Sequence, residues 1–408
     1  MSLEKTDRKI IVSLFIMMVL EIAIWGAWQV KIFPYMAKLS FEGWQISLAG
    51  SMFGIASVVG IFFSNQFADR NFAAEKFLAF SHLVGGAALL CTAFCQSFWP
   101  FFICFLIYGL LYVPTISVTN SLAFANLKNP SKEFGPVRMG GTIGWILVSL
   151  PYFFLFSKEA TIDEMKWIFI VGAIISFVLA GFSLTLPHTP PRKAESEENS
   201  LAWLKAFKML SVPYVFLLFV VTLIDSVIHN GYFVLVDGFL SSAVKFDDNV
   251  TQAITTLGQV AEIITMIFLG RVLVKLGWKW TMIVGILGHA ARFGTFVYFG
   301  TEEFKTLIIV VQLLHGICYA FFFATLYIFV DEVFPKDIRT SAQGMFNLLI
   351  LGVGLVIASF WFVAVKESYT IDGVTDYGKV FMVPTALAIG AMILLLFFKP
   401  PSQRPNAT

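Results

Sequence analysis

The chain has 408 residues, of which 58% are hydrophobic, 16% aromatic and only 13% charged, about half the charged share usual in soluble domains. Its mean hydropathy is +0.81, which excludes a soluble enzyme. A formal charge of +2 with no Lys/Arg run leaves no electrostatic footprint for nucleic acid or for an acidic substrate.

A bilayer core about 30 Å thick needs roughly 20 apolar residues per helical span. Apolar stretches fall near 10–33, 44–68, 76–96, 98–125, 137–157, 166–186, 212–236, 249–273, 280–300, 305–331, 340–365 and 378–398. The expectation is an all-α integral membrane protein of twelve transmembrane helices in two six-helix pseudo-symmetric halves. Lys5, Arg8 and Lys9 precede the first stretch and no small-residue cleavage site follows, so it reads as a spanning helix and not a removed signal. With both termini on the cytoplasmic side, only Lys31, Lys38, Lys158, Lys166, Lys245, Lys305, Lys366 and Lys379 fall outside and Arg292 lies within a helix. The remainder of the 28 basic residues stay inside, as the positive-inside rule requires.

The break between halves is Pro187-His188-Thr189-Pro190-Pro191-Arg192-Lys193 with Glu195, Glu197 and Glu198, too polar and proline-rich to span a membrane. This divides the chain into residues 1–186, a linker over 187–211, and residues 212–408. Leu201, Leu204, Phe207 and Leu210 recur on one side of Lys205 and Lys208, as in a short helix lying on the membrane surface or an extension of span seven. Arg138 opens span five and Arg339 opens span eleven, and the loop Asn65-Gln66-Phe67-Ala68-Asp69-Arg70 after span two has its counterpart in Arg271, Lys275 and Lys279 after span eight. Parallel six-helix repeats of this kind are the signature of the major facilitator architecture, with a substrate site near the midplane.

Charged groups within hydrocarbon cost about 2.5 to 3.5 kcal/mol each on insertion scales, so those that persist should face a cavity or a partner. On span eight, Gln259 and Glu262 share a helix face, an arrangement suited to hydroxyl-rich ligands, to proton binding, or to a structural bond with a neighbouring helix. On span five, Arg138, Thr142 and Trp145 form one stripe; Arg138 either lines a cavity or snorkels to the interface. Span seven carries Asp225, His229 and Asn230, with Asp237 past its expected end; Asp225 and His229 could relay a proton or satisfy each other. Span one holds Glu21, Trp25, Trp28, Gln29 and Lys31, and span ten holds Tyr319, Phe321, Phe322 and Phe323, for packing or for stacking on a flat ligand. Cys91, Cys95, Cys104 and Cys318 lie within apolar helices and read as core residues. There is no Walker A sequence, no HExxH spacing and no TVGYG filter, so no ATP-driven pump, zinc enzyme or potassium channel is supported. The glycines of Gly140-Gly141-Thr142-Ile143-Gly144 suit close helix packing. No cofactor and no metal is expected.

The segments Ile24-Trp25-Gly26-Ala27-Trp28, Tyr112-Val113-Pro114-Thr115, Pro136-Val137-Arg138 with Gly141-Thr142-Ile143-Gly144, Leu186-Pro187-His188-Thr189-Pro190, Gln259-Val260-Ala261-Glu262, His315-Gly316-Ile317-Cys318-Tyr319, Arg339-Thr340-Ser341-Ala342-Gln343-Gly344-Met345-Phe346 and Gly373-Val374-Thr375-Asp376-Tyr377 resemble those of the nucleoside:proton symporter family. Their order across both halves covers nearly the whole chain. The resemblance implies proton-coupled nucleoside import across a bacterial inner membrane by alternating access; the expected partners are the nucleoside, protons and the lipid bilayer, and a monomer is expected. By matching position, Arg138, Thr142, Trp145, Asn230, Gln259, Glu262 and Tyr319 would contact substrate: Gln259 and Glu262 on ribose hydroxyls, Trp145 or Tyr319 against the base. Family members commonly carry an aspartate directly after the aromatic in span ten, and this chain has Tyr319-Ala320-Phe321. Proton coupling would then fall to Glu262, or to Asp225 with His229, or be absent in a uniporter; a sugar or glycoside porter, or a membrane sensor that has lost transport, are the other readings of the fold.

Overall fold

The structure is a computed structural model that describes residues 6–60, 72–128, 130–191, 207–335 and 339–401. The loop Asn65 to Arg70, Arg192 to Glu198 of the linker, Leu201, Leu204 and Lys205 of the expected surface helix, and Lys336 to Ile338 before Arg339 lie outside the described residues. Nearly everything described is helix. Helix α1 (Arg8–Trp28) starts where Asp7 accepts from the Lys9 N–H at 2.9 Å, filling one of the orphan donors of a first turn. It is followed by α2 (Ile32–Lys38), α3 (Gly43–Gly50), which opens on a Glu42/Gln45 capping box, and helical residues 52–60. Next come α4 (Ala74–Thr92), α5 (Phe98–Asn126), α6 (Pro130–Leu155), α7 (Ile162–Met165) and α8 (Trp167–Ser183). After the linker stand α9 (Pro213–Gly238), α10 (Asp248–Phe299), α11 (Lys305–Val311), α12 (Leu314–Cys318), α13 (Thr325–Val333), α14 (Arg339–Asn347), α15 (Gly354–Ser368), a two-residue hairpin of β1 (Thr370–Ile371) with β2 (Val374–Thr375), and α16 (Tyr377–Leu396).

Nine helical segments among the described residues are long and apolar enough to cross a membrane. One of them, α10, is two helices meeting at Gly277, whose φ of 72° only glycine adopts at no steric cost. With residues 43–60 and α6 as further helices, the arrangement fits twelve spans. Large apolar side chains stand on the outside, Phe154 at 83% and Ile267 at 69% exposure, the inverted surface expected of helices whose solvent is lipid. Cys91 belongs to that surface: it is exposed, Cys95 and Cys104 are half-buried, and only Cys318 is the core residue expected of all four, because an apolar helix in a membrane need not bury every face. Asp237, expected beyond the end of span seven, lies inside α9 and is buried.

By contact the chain divides into two units, residues 1–194 with 247–253 and residues 195–246 with 254–408. In the first unit α1 packs along α6, and α4 lies against α5 and α8. Small residues allow the close approach: a Cβ at Gly144 would fall 2.0 Å from the Val19 carbonyl oxygen, and one at Gly140 would fall 2.7 Å from that of Phe15. In the second unit α9 packs on α15 and α16, and a Cβ at Gly231 would fall 2.2 Å from the Phe362 ring. Among the described residues, π-turns at Tyr319–Ala324 after α12, Leu348–Val353 after α14 and Phe239–Ala243 after α9 loosen the backbone ladder, as such turns commonly do at functional sites. The second is closed from outside: the Ser226 hydroxyl contacts the carbonyls of Leu349 and Ile350 at 2.9 and 3.0 Å, and the Asn230 amide donates to Ile350 at 3.1 Å.

Gly144→Ala should push α1 from α6 and cost about 1–3 kcal/mol, the usual range for overpacking. The control Gly181→Ala, where no atom lies within 4 Å, should stay within about 0.5 kcal/mol. Thermal melting of the detergent-solubilised protein checks both; equal midpoints would mean that the α1–α6 contact yields without cost.

Candidate functional site

In the first unit, Arg138 on α6 is half-buried. Its Nη1 would lie 2.4 Å from a Cβ at Gly141, beside Ile22 of α1, so the side chain turns along α6 toward the next turn inward. A snorkelling arginine near a helix start would head the opposite way, toward the interface. Thr142 is half-buried and Trp145 is 8% exposed. The Trp145 ring meets Trp25 edge-on at 5.5 Å, and Trp25 stacks on Phe53 at 4.6 Å while donating its indole N–H to Gln29 at 2.9 Å. The stripe therefore ends in an aromatic wall built by α1 and residues 52–60.

Glu21, four residues before Trp25, is fully buried. The Thr115 hydroxyl donates to its Oε1 at 2.7 Å, His82 Nε2 lies 2.9 Å from its Oε2, and the Tyr112 hydroxyl donates to its backbone carbonyl at 2.6 Å. Lys31, also buried, donates to the Thr251 hydroxyl at 2.6 Å and the Asp248 carbonyl at 2.9 Å within the same unit. Buried ions so wrapped have their desolvation offset by local partners.

In the second unit, Gln259 is 7% exposed and its amide lies 3.2 Å from His315 Nε2. Glu262, one turn on, is half-buried. The backbone of α12 comes so close that a Cβ at Gly316 would fall 2.5 Å from the Glu262 nitrogen, which holds the Gln259 to Glu262 turn against α12. Tyr319 is half-buried at the start of the π-turn, its ring 5.9 Å from that of His229 and 5.7 Å from Phe323. Asn230 stands apart from these: its amide nitrogen donates to the carbonyls of Ser226 and Ile350 at 2.9 and 3.1 Å, a packing role that leaves Oδ1 as the atom able to meet a ligand.

The pairing of Asp225 with His229 expected from their spacing does not form. The His229 ring stacks on His315 at 5.0 Å, and the group nearest the Asp225 carboxylate is His289 Nε2, 3.6 Å from Oδ1. A helix spacing says which residues share a face, and three neighbouring helices decide which of them meet. The residue at the centre is Arg292, wholly buried on α10. Its Nη1 lies 2.9 Å from His315 Nδ1 and its Nη2 lies 3.3 Å from His289 Nδ1, while the guanidinium caps the Tyr232 ring at 4.1 Å. Tyr232 in turn donates to Gln312 at 2.9 Å. Arg292, His289 and His315 were not among the candidates read from the sequence, although an arginine in an apolar helix three residues from a histidine carried the signal: an intramembrane cation needs acceptors nearby.

Comparison with known proteins bears on the family and the fold. YegT of Escherichia coli, provisionally described as a nucleoside transporter, is 32% identical over 350 residues, 85% of this chain and 82% of the relative. The nucleoside permease NupG of the same organism is 28% identical over 390 residues, 91% of each. The crystal structure of the nucleoside transporter NupG superposes with a TM-score of 0.82 at 25% identity over 95% of this chain and 98% of that one, so the fold is that of the major facilitator transporters. Residues 8–403 match the family described as Nucleoside H+ symporter, and with apolar spans, a divided bundle and polar groups held inside it, the chain belongs to that family.

Proposed function

We propose that the protein carries nucleosides across a bacterial inner membrane together with protons, by alternating access, as a monomer with both termini in the cytoplasm. The match of residues 8–403 to the symporter family carries this reading, and the bias of basic residues to the side of the termini supports the orientation. In each unit the candidate residues offer the chemistry a nucleoside needs. Gln259 and Glu262 present an amide and a carboxylate within one helical turn of α10, and a carboxylate accepts two hydroxyl donors such as those of ribose. Arg138, Thr142 and Trp145 present a cation, a hydroxyl and a ring on α6, Tyr319 presents a second ring, and a purine or pyrimidine is a flat stacking partner for either ring. Asn230 would add one acceptor through Oδ1.

Labelled uridine and adenosine should accumulate in proteoliposomes only under an inward proton gradient. Equilibration indifferent to the gradient would make the protein a uniporter; uptake of sugars or glycosides alone would move the substrate class; no uptake of any solute would favour a sensor. Glu262→Gln should weaken nucleoside binding by about 1.5–3 kcal/mol, the usual worth of a hydrogen bond to a charged group, or roughly 10- to 150-fold. Arg138→Ala should weaken it similarly, and an unchanged dissociation constant measured by calorimetry would return Arg138 to an interfacial role.

A further inference from the structure

The tenth span carries Ala320, wholly buried and without a titratable group. A proton-driven carrier with this sequence needs its proton site elsewhere. Asp225 and Glu21, each wholly buried within a helix, compete for that role, and their surroundings separate them.

A guanidinium donates from every nitrogen, accepts at none and keeps its proton at any physiological pH. His315 Nδ1 and His289 Nδ1, which face Arg292 at 2.9 and 3.3 Å, are therefore both acceptors, and each ring carries its proton on Nε2. The His289 N–H then points to Asp225 Oδ1 across 3.6 Å. The His315 N–H points to the Gln259 amide at 3.2 Å, which must turn its oxygen there, the two ends of an amide being interchangeable in assignment. One line of polar groups results: Asp225, His289, Arg292, His315, Gln259. It starts at a fully buried carboxylate and ends at a candidate substrate residue one turn from Glu262.

Among the described residues, neither Asp225 oxygen accepts a hydrogen bond, so taking up a proton breaks none. Glu21 differs in that its Oε1 accepts from the Thr115 hydroxyl and its Oε2 has His82 Nε2 at 2.9 Å. The groups around Asp225 are His229 and Tyr232 on its own helix, His289 and Arg292 from α10, and His315 and Cys318 from α12, linked pairwise by ring or electrostatic contacts. From the π-turn after α14 come the Leu349 and Ile350 carbonyls bound by Ser226, and from α16 comes Phe381 against Phe293. Arg292 is thus the cation in electrostatic reach of Asp225. Because it cannot release a proton, the line is not a proton wire. Neutralising Asp225 removes the counter-charge from Arg292, and the guanidinium transmits that change as position, through His315 to Gln259.

We infer that Asp225 is the proton-binding group of this carrier, and that Arg292 is the positioning residue coupling it through His315 to substrate bound at Gln259; this rests on the transport reading above. In each cycle a proton from one side forms an O–H bond on Asp225 and returns to solution on the other side. Coupling between two sites is reciprocal and typically amounts to 5- to 150-fold in affinity.

The test uses the full-length protein in proteoliposomes with labelled uridine and adenosine. The wild type should bind nucleoside with an affinity that shifts by about 5- to 150-fold across its pH transition. Asp225→Asn should lose gradient-driven accumulation and that pH dependence, while nucleoside exchange continues at a reduced rate and shows the variant to be folded. Uphill accumulation by Asp225→Asn equal to the wild type would overturn the proposal and leave the transport reading standing. A wild type that neither accumulates nor exchanges nucleoside would sink the transport reading and the proposal with it. If Asp225→Asn is not recovered as a monodisperse protein, Arg292→Lys decides: a lysine keeps the charge but cannot bridge two imidazoles, so affinity should cease to follow pH, and a pH dependence identical to the wild type would overturn the proposal.

Discussion

A guanidinium buried inside a helix bundle must be given acceptors, and much of the second unit can be read as the answer to that demand. The desolvation of such an ion costs several kcal/mol even after relaxation. Arg292 meets it with two imidazole nitrogens, the face of Tyr232 and the charge of Asp225. These come from α9, α10 and α12, so the ion ties together three helices that the lipid would otherwise leave to van der Waals packing alone. The same demand orders the protons: two histidines that accept from an arginine have no freedom of tautomer, and their outward N–H groups are aimed at Asp225 and Gln259.

Close helix approach is the other constraint. Between lipid-solvated helices there is no hydrophobic drive, and association rests on fitted surfaces and polar contacts. Gly140 and Gly144 bring α6 onto α1, and that contact sets Trp145 against Gly26 and Trp25. Gly316 brings α12 onto the Gln259 to Glu262 turn, and Gly258 makes room for the His315 ring. The glycines therefore place the candidate binding residues as much as they stabilise the bundle. The π-turns act in the same direction, since the loosened carbonyls after α14 are what hold Ser226 and Asn230.

The two units solve their buried charges differently. In the first, Glu21 and Lys31 are enclosed by hydroxyls, an imidazole and carbonyls at hydrogen-bonding distance, which suits a rigid support. In the second, Asp225 has Arg292 in electrostatic reach and, among the described residues, no direct hydrogen bond. A carboxylate held by field and not by geometry can change its protonation state without dismantling its surroundings, which is the property a coupled carrier needs.

Apolar runs of about twenty residues, the proline-rich break and the distribution of lysine and arginine were enough to establish spans, halves and orientation as expectations, because membrane thickness and charge asymmetry act on each segment by itself. Residues such as Gln259 and Glu262 were also legible, since a polar pair on one turn of an apolar helix must have a use wherever the helix sits. The Asp225 and His229 spacing was legible as a shared face but not as a contact, and Arg292 with His289 and His315 became a cluster only when α10 and α12 were laid beside α9. Those contacts join residues up to 64 positions apart on helices whose rotation about their axes depends on glycine contacts and π-turns. Sequence alone determined what crosses the membrane; the partners of each buried charge were decided by tertiary packing, because a side chain's acceptors come from neighbouring helices and not from its own.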